Sequence, residues 1–165
     1  MVNRKRTRRR TATPDRCACP QTFCTRKHVN KITEQIWIGN YLDASDFTEL
    51  SRNGIRAILS LDGTAKDVDY SQTSVGEVKV VPLIDGPGNS QSGFKHAVSS
   101  LRRLTEKSHP VLVQCHAGRS RSAAVVACHL MWNCGYSLAA AMNEISEKRE
   151  VIITAGLQEV FNFPH

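Results

Sequence analysis

From residue 32 onward, short hydrophobic runs alternate with longer stretches in which apolar residues recur at helical spacing. The short runs predict four strands, at Ile36–Ile38, Arg56–Leu61, Glu77–Ile84 and Val111–Gln114. Spacing and capping residues predict helices from Ser45 or Asp46 to about Arg52, at Ser92–Lys107, at Ser122–Asn133, from a Ser137 cap to Arg149, and at Leu157–Phe163. Alternating strands and helices predict a single α/β domain with a central, mostly parallel or mixed sheet flanked by helices.

The helix predicted at Ser122–Asn133 differs from the others because it is apolar around most of its circumference. Such a helix is expected to be buried on most sides. Cys128 lies on it and Cys134 follows directly, so both are interpreted as core residues. Gly135 is expected to end the helix.

The first 31 residues have a different composition. They are polar, lack hydrophobic periodicity and hold ten Lys/Arg against Asp15 alone, a net charge of +9, whereas the remaining 12 basic and 14 acidic residues give −2. We therefore expect residues 1–31 to form a basic, largely disordered tail and residues 32–165 to form the domain. Two interpretations of the run Arg4–Arg10 remain open: a solvated arm, or a segment for nuclear import or polyanion contact.

Two features of the sequence indicate the cellular compartment in which the protein is expected. No apolar run approaches the roughly 20 residues that span a bilayer, and the N-terminus has no apolar core typical of a secretory signal. Six cysteines without an export signal favour a reducing compartment and free thiols. A cytoplasmic or nuclear location is therefore expected.

Four potential metal ligands, Cys17, Cys19, Cys24 and His28, lie close together in the tail. Three thiolates and an imidazole could bind a tetrahedral zinc ion. The spacing between Cys17 and Cys19 is tighter than in usual zinc sites, so coincidence in a cysteine-rich tail is the favoured interpretation.

The strongest chemical signal is a cysteine at the end of the apolar strand Val111–Gln114. Cys115 is followed by a loop containing Gly118, then by Arg121, Ser122 and an apolar helix. Backbone N–H groups of such a loop, next to a helix N-terminus, form an anion site, and Arg121 can bind two phosphate oxygens at once. These positive surroundings favour the thiolate form of Cys115. The pattern predicts a phosphate-binding loop, His116, Ala117, Gly118, Arg119, Ser120 and Arg121, with a nucleophile at its floor.

This loop, in which five residues separate Cys115 from Arg121-Ser122, resembles the active-site loop of the cysteine-dependent protein tyrosine phosphatase superfamily. Within that superfamily it is most similar to the loop of the small dual-specificity phosphatases. Ile36–Gly39 with Leu42–Asp46, and Asn53–Leu59, resemble the same family. The resemblance covers about residues 32–165. It implies hydrolysis of phosphotyrosine and phosphoserine/phosphothreonine in protein substrates through a cysteinyl-phosphate intermediate, with no metal or cofactor.

Cleavage of a phosphate ester also needs a proton for the leaving oxygen. Asp85 follows a strand directly and lies in the turn Asp85–Asn89, on the loop that carries the general acid in the family. Asp62-Gly63 also ends a strand, which makes Asp62 the rival acid. The resemblance further implies that Ser122 hydrogen-bonds the Cys115 sulfur, although Ser122 could equally cap the following helix.

Two residues depart from the family pattern. The residue before the nucleophile is commonly His but is Gln114 here, and an uncharged amide stabilises a thiolate less. Arg119 places a cation inside the loop, a feature of relatives that act on polyanionic substrates, although it could also point into solvent. A phosphatase of RNA 5′-phosphates or phosphoinositides is therefore the alternative function. A phosphate-binding pseudophosphatase is disfavoured by intact Cys115, Arg121, Ser122 and Asp85, and the sequence predicts no oligomeric state.

Overall fold

A computed structural model describes residues 29–165. Five strands form one sheet in the order β1-β2-β5-β3-β4. β1 pairs antiparallel with β2, and the other neighbouring pairs are parallel. The strands are β1 Asn30–Lys31, β2 Ile36–Gly39, β3 Ala57–Ser60, β4 Glu77–Val80 and β5 Val111–Gln114. The mixed α/β sheet predicted from the alternation is confirmed, and β5, which leads into the cysteine loop, lies at its centre.

Side chains of the central strands alternate between two hydrophobic clusters, one on each face of the sheet. Ile58 and Leu112 pack with Leu50 and Ile55 on one face. Their neighbours on the same strands point to the larger cluster on the other face, which contains Ala57, Leu59, Val111, Val113 and the apolar residues of two long helices. Both faces of the parallel strands are thus covered, as expected for strands with continuous apolar runs.

Helices cover the sheet where hydrophobic spacing predicts them. Asp46 caps the first, since its carboxylate accepts a hydrogen bond from the Glu49 N–H at 3.0 Å, and Ser137 caps the last through the Ala140 N–H at 3.1 Å. Gly135, at φ 75°, ends the third helix. The helices are α1 Phe47–Arg52, α2 Gln91–Lys107, α3 Arg121–Cys134 and α4 Leu138–Ser146, with 3₁₀ turns at Asp43–Ser45, Thr64–Asp67 and Leu157–Asn162.

Most boundaries agree with the prediction to within two residues, but two elements end earlier, one strand was not predicted, and the helix predicted at Leu157–Phe163 is a 3₁₀ segment, Leu157–Asn162. The strand expected at Glu77–Ile84 ends at Val80, because Pro82 has no N–H to continue the ladder, although Val81 and Leu83 still donate to Ser60 and Leu61. α4 ends at Ser146 rather than Arg149, because the Lys148 N–H bonds the Ile145 carbonyl three residues back and tightens the last turn. Asn30 and Lys31, expected in the tail, form β1, and Val29 is buried.

The prediction that Cys134 is a core residue is wrong. α3 is buried from Arg121 through Leu130, and Cys128 lies in its buried part, but its last turn emerges from the core and leaves Cys134 exposed. Burial raises the pKa of the Cys128 thiol to about 12.

Two sets of predicted residues, the basic run Arg4–Arg10 and the zinc candidates Cys17, Cys19, Cys24 and His28, lie outside the described residues. Within residues 29–165, no group of His, Cys, Asp and Glu side chains is arranged to hold a metal ion. In the same range no helix has the length and apolarity to cross a membrane.

Candidate active site

Cys115 follows the central strand β5 directly and is 1% exposed. Residues 115–120 form a loop at the carboxyl edge of the sheet, and α3 begins at Arg121. Ligands of open α/β sheets bind at this edge, where a helix N-terminus adds partial positive charge. The fold therefore places Cys115 at the floor of a loop that leads into a buried helix.

The backbone carbonyls of residues 116–119 are each bonded by groups outside the loop. The His116 carbonyl accepts from the Tyr41 N–H at 3.4 Å, and the Arg119 carbonyl from the Ile152 N–H at 3.1 Å. The Ala117 and Gly118 carbonyls accept from the guanidinium of Arg149. In a planar trans peptide the N–H points opposite to the carbonyl, so the N–H groups of residues 117–120 point away from the segments that bond these carbonyls. Such an arrangement suits an anion.

Arg149 holds this loop against the first part of the sheet. Besides the two loop carbonyls, its guanidinium donates to Asn30 Oδ1 at 2.7 Å and to the Ile38 carbonyl at 3.3 Å. Gly118 passes so close that a Cβ there would collide with both Arg149 and the Gly39 carbonyl, and its φ of 64° also favours glycine. The loop shape thus depends on a glycine and on an arginine from the segment after α4.

Arg121 is anchored at the base of the loop by the sheet. Its side chain donates to the Leu83 carbonyl at 3.2 Å and to the Leu61 carbonyl at 3.4 Å. Its Nη2 lies 3.8 Å from Asp85 Oδ2. Within the described residues the buried Nε has no hydrogen-bond partner. The structure therefore brings Arg121 and Asp85 together, with part of the guanidinium left available to an anion.

Asp85 is connected to the loop by a chain of hydroxyl groups. The Thr154 hydroxyl donates to Asp85 Oδ1 at 2.8 Å. Ser120 Oγ donates to Thr154 Oγ1 and accepts from the Thr154 N–H, both at 3.0 Å. Asp85 is thereby fixed relative to the residue that precedes Arg121.

Ser122 does not cap α3. The helix begins one residue earlier, Ser120 occupies the cap position without a side-chain cap bond, and Ser122 lies buried in the first turn. Its Oγ is 3.4 Å from Cys115 Sγ. The serine hydroxyl is thus directed at the cysteine sulfur.

Asp62 lies beside Gln114 at the end of β3. The Gln114 amide donates to Asp62 Oδ1 at 3.0 Å and to Ser60 Oγ at 2.5 Å. Burial raises the pKa of Asp62, but hydrogen bonds from Thr64 and Gln114 and the charge of Arg121 outweigh burial, so the pKa is lowered. A carboxyl group held in its ionised form is a poor proton donor, which makes Asp62 the weaker candidate for the acid.

Two loop side chains contact neighbouring segments. The His116 ring stacks on Tyr41 with centroids 4.7 Å apart. Arg119 forms an ion pair with Glu150 at 3.2 Å, and each side chain is 42% exposed. Of the two orientations expected for Arg119, pointing into the loop or into solvent, the structure shows a partly exposed side chain whose charge is paired with Glu150.

Sequence reasoning missed Arg149 and Thr154. Both follow α4, far along the chain from Cys115, and neither belongs to a local motif. The sequence does contain one indication of their role: Arg149 and Thr154 lie on either side of the apolar run Val151–Ile153. It indicates a segment that packs on the core and has polar contacts at both ends.

Known proteins resemble this chain in sequence and in fold. A family model described as the dual specificity phosphatase catalytic domain matches residues 36–160. Dual specificity protein phosphatase 22-B of Danio rerio is 31% identical over 104 residues, covering 62% of this chain and 55% of that protein. Phosphoglucan phosphatase LSF1, chloroplastic, of Arabidopsis thaliana is 33% identical over 129 residues, covering 71% and 22%.

The crystal structure of human DUSP28 has the same fold, with a TM-score of 0.70 at 21% identity over 82% of this chain and 91% of that one. The chain spans about half the length of the dual specificity phosphatases it matches. Since the family model covers most of the described residues, including the whole cysteine loop, the chain belongs to the dual specificity phosphatase family.

Proposed function

We propose that this chain is a protein phosphatase that hydrolyses phosphotyrosine and phosphoserine/phosphothreonine through a cysteinyl-phosphate intermediate. The observation that carries the proposal is the position of Cys115 directly after β5 in a loop that leads into α3, with Arg121 at the first position of that helix and its Nη2 3.8 Å from Asp85 Oδ2. The loop N–H groups and Arg121 bind the phosphate oxygens.

In the first step the Cys115 thiolate attacks phosphorus. The S–P bond forms as the P–O ester bond breaks, the electron pair stays on the leaving oxygen, and Asp85 gives that oxygen its proton. In the second step a water attacks phosphorus and gives a proton to Asp85. The S–P bond breaks, and the sulfur leaves as a thiolate that accepts a hydrogen bond from Ser122, which lies 3.4 Å away.

The pairing of Arg119 with Glu150 supports a protein substrate over a polyanion. A pocket for a polyphosphorylated ligand needs cations beyond the one that binds the reacting phosphate. Arg119, the cation that suggested such a pocket, is occupied by Glu150 at the rim.

A second candidate is a phosphatase of a non-protein substrate, such as an RNA 5′-phosphate or a phosphoinositide. The similarity to a phosphoglucan phosphatase favours considering it, because that relative is named for a non-protein substrate. The basic residues Arg4–Arg10 would suit polyanion contact.

One substrate panel separates the candidates. The full chain is assayed on phosphotyrosine and phosphothreonine peptides, triphosphate-ended RNA, inositol phospholipids and phosphorylated glucan. We expect the highest kcat/KM on the peptides. Faster turnover of RNA, lipid or glucan would replace the protein phosphatase proposal, and no turnover even of an activated aryl phosphate would indicate a pseudophosphatase.

A further inference from the structure

Exposed hydrophobic side chains are concentrated around the cysteine loop. Seven large hydrophobic side chains are exposed among the described residues, and four of them lie on segments that contact this loop or Asp85. We call these four the apolar rim: Tyr41, Leu42, Ile84 and Ile152. Exposed apolar side chains that cluster around a polar site commonly mark a binding surface.

Tyr41 and Leu42 lie on the segment after β2, which contacts the first part of the loop at His116. Tyr41 bonds the His116 carbonyl through its N–H and stacks its ring on the His116 ring, so its position is fixed by the loop itself. Leu42, the next residue, is 58% exposed. An aromatic ring held in place beside an exposed leucine gives this side of the loop a firm apolar surface.

Ile84 and Ile152 lie on two other segments: Ile152 contacts the last part of the loop at Arg119, and Ile84 precedes Asp85, which lies near Arg121. Ile84 directly precedes Asp85 and is 55% exposed, while its neighbour Leu83 is buried. Ile152 is 51% exposed and donates its N–H to the Arg119 carbonyl, while its neighbour Ile153 packs against the core. In each pair, one apolar residue packs in or against the core, and the other is exposed to solvent near the candidate acid or the loop.

We propose that the apolar rim binds hydrophobic residues adjacent to the phosphorylated residue of a protein substrate. This inference rests on the proposed function, because the cysteine loop must hold the phosphate for the neighbouring residues to reach the rim. Burial of two apolar neighbours against the rim would add binding energy proportional to the area removed from water.

The chemistry of the rim favours a peptide as its occupant. A single dianionic phosphate matches the N–H groups and Arg121, and the surface around it presents apolar side chains together with the neutralised pair Arg119–Glu150. A nucleic acid or a polyphosphorylated lipid headgroup would place further negative charges over these apolar groups, where they lose hydration without gaining a partner.

The test uses two phosphotyrosine peptides of equal length and charge that differ only in carrying Leu or Ser on both sides of the phosphotyrosine. For the full chain we expect kcat/KM to be about tenfold higher on the Leu-flanked peptide. The double variant Ile84→Ser/Ile152→Ser is expected to lower this ratio to about two or less. Because the ratio compares two substrates in one sample, partial loss of active enzyme does not alter it.

Leu138→Ser is the matched control, because Leu138 is also an exposed leucine but lies far from the loop. It begins α4, which follows the end of α3 that is remote from the loop, and the 14 residues of α3 span about 20 Å. Its ratio should equal that of the parent chain. Equal kcat/KM on both peptides by the parent, or an unchanged ratio in the double variant, overturns the rim proposal and leaves the protein phosphatase standing. Turnover of RNA, lipid or glucan but of neither peptide overturns both.

Discussion

The orientation of the Arg121 side chain is fixed by hydrogen bonds to segments that follow two strands of the sheet. Its guanidinium bonds the carbonyls of Leu61 and Leu83, which follow β3 and β4, so its direction is set by two parallel strands rather than by the loop alone. The Cys115 sulfur is fixed in the same way, by its position at the end of β5. In the proposed reaction these two groups would need little rearrangement to meet a phosphate.

The contribution of Asp85 to kcat/KM is expected to be larger for a leaving group that needs a proton to depart. Asp85→Asn keeps the shape but removes the proton, so kcat/KM on a phosphopeptide should fall by about 10²–10⁴-fold. An activated aryl phosphate, whose oxygen leaves without a proton, should lose far less. Steady-state kinetics on both substrates measure the difference, and parent-like activity of the variant on the phosphopeptide would assign Asp85 to the turn alone.

At the scale of elements, the segment after α4 ties the site together. Arg149 holds the carbonyls of the loop, the Ile152 N–H bonds another, and Thr154 joins Ser120 to Asp85. The Thr154 hydroxyl donates to Asp85 Oδ1, while Oδ2 lies on the Arg121 side. This segment thus holds the Asp85 carboxyl group in one orientation relative to Arg121.

Thr154→Val removes that hydroxyl with little change in shape. We expect kcat/KM on a phosphopeptide to fall about tenfold, the loss of one hydrogen bond to a charged group, with a smaller effect on an activated aryl phosphate. Thr154→Ser, which keeps the hydroxyl, should restore most of the activity. A loss of equal size on both substrates, or no rescue by serine, would indicate a structural role for Thr154.

Much of the order of strands and helices could be predicted because hydrophobic periodicity is a property of neighbouring residues in the sequence. The capping by Asp46 and Ser137 and the stop at Gly135 followed from residue type alone. The cysteine loop was also local, since Cys115 and Arg121 lie in one short motif. By contrast, β1 depends on pairing with β2, which no property of Asn30 or Lys31 indicates.

The parts that could not be predicted depend on contacts between distant segments. Arg149 reaches the loop across 31 positions in sequence, and Thr154 reaches Asp85 across 69. Cys134 was misjudged because an apolar helix can extend past the sheet that covers it. Arg119 could point either way until Glu150 was located beside it.

At the scale of the whole molecule, His129 links stability to pH. It lies buried on α3, where burial and the charge of Arg102 lower its pKa to about 4 although Glu106 opposes this. The pKa of His129 is about 4 in the folded chain and 6.5 in the unfolded chain, so the unfolded chain binds the proton more tightly. The resulting contribution to the free energy of unfolding is fully present above pH 6.5, and it is lost as the pH falls from 6.5 through the folded-state pKa.

We therefore expect the native chain to lose about 3 kcal/mol more than His129→Gln in free energy of unfolding between about pH 7 and pH 4. Urea unfolding at a series of pH values measures this, and the difference between the two chains removes the contribution of the carboxyl groups that they share. Parallel curves for both chains would show that His129 takes up its proton without unfolding cost.

The described part of the chain starts with a buried residue, Val29, which is followed by β1 at Asn30. Deletion of residues 1–28 is expected to leave kcat/KM on a small aryl phosphate unchanged and to weaken any salt-sensitive binding to polyanions. Binding to RNA at two salt concentrations, measured beside turnover, tests both. A large loss of aryl phosphate turnover would mean that the basic segment contributes to the active domain.

The central claim is that Cys115 carries the phosphoryl group during turnover, and the most direct measurement is peptide mass spectrometry of enzyme quenched during hydrolysis of a phosphopeptide. We expect one phosphoryl group on Cys115, none in Cys115→Ser, and activity of that variant reduced by far more than about a hundredfold. A phosphoryl group on another residue, or more than about a hundredth of the activity remaining without Cys115, would contradict the account.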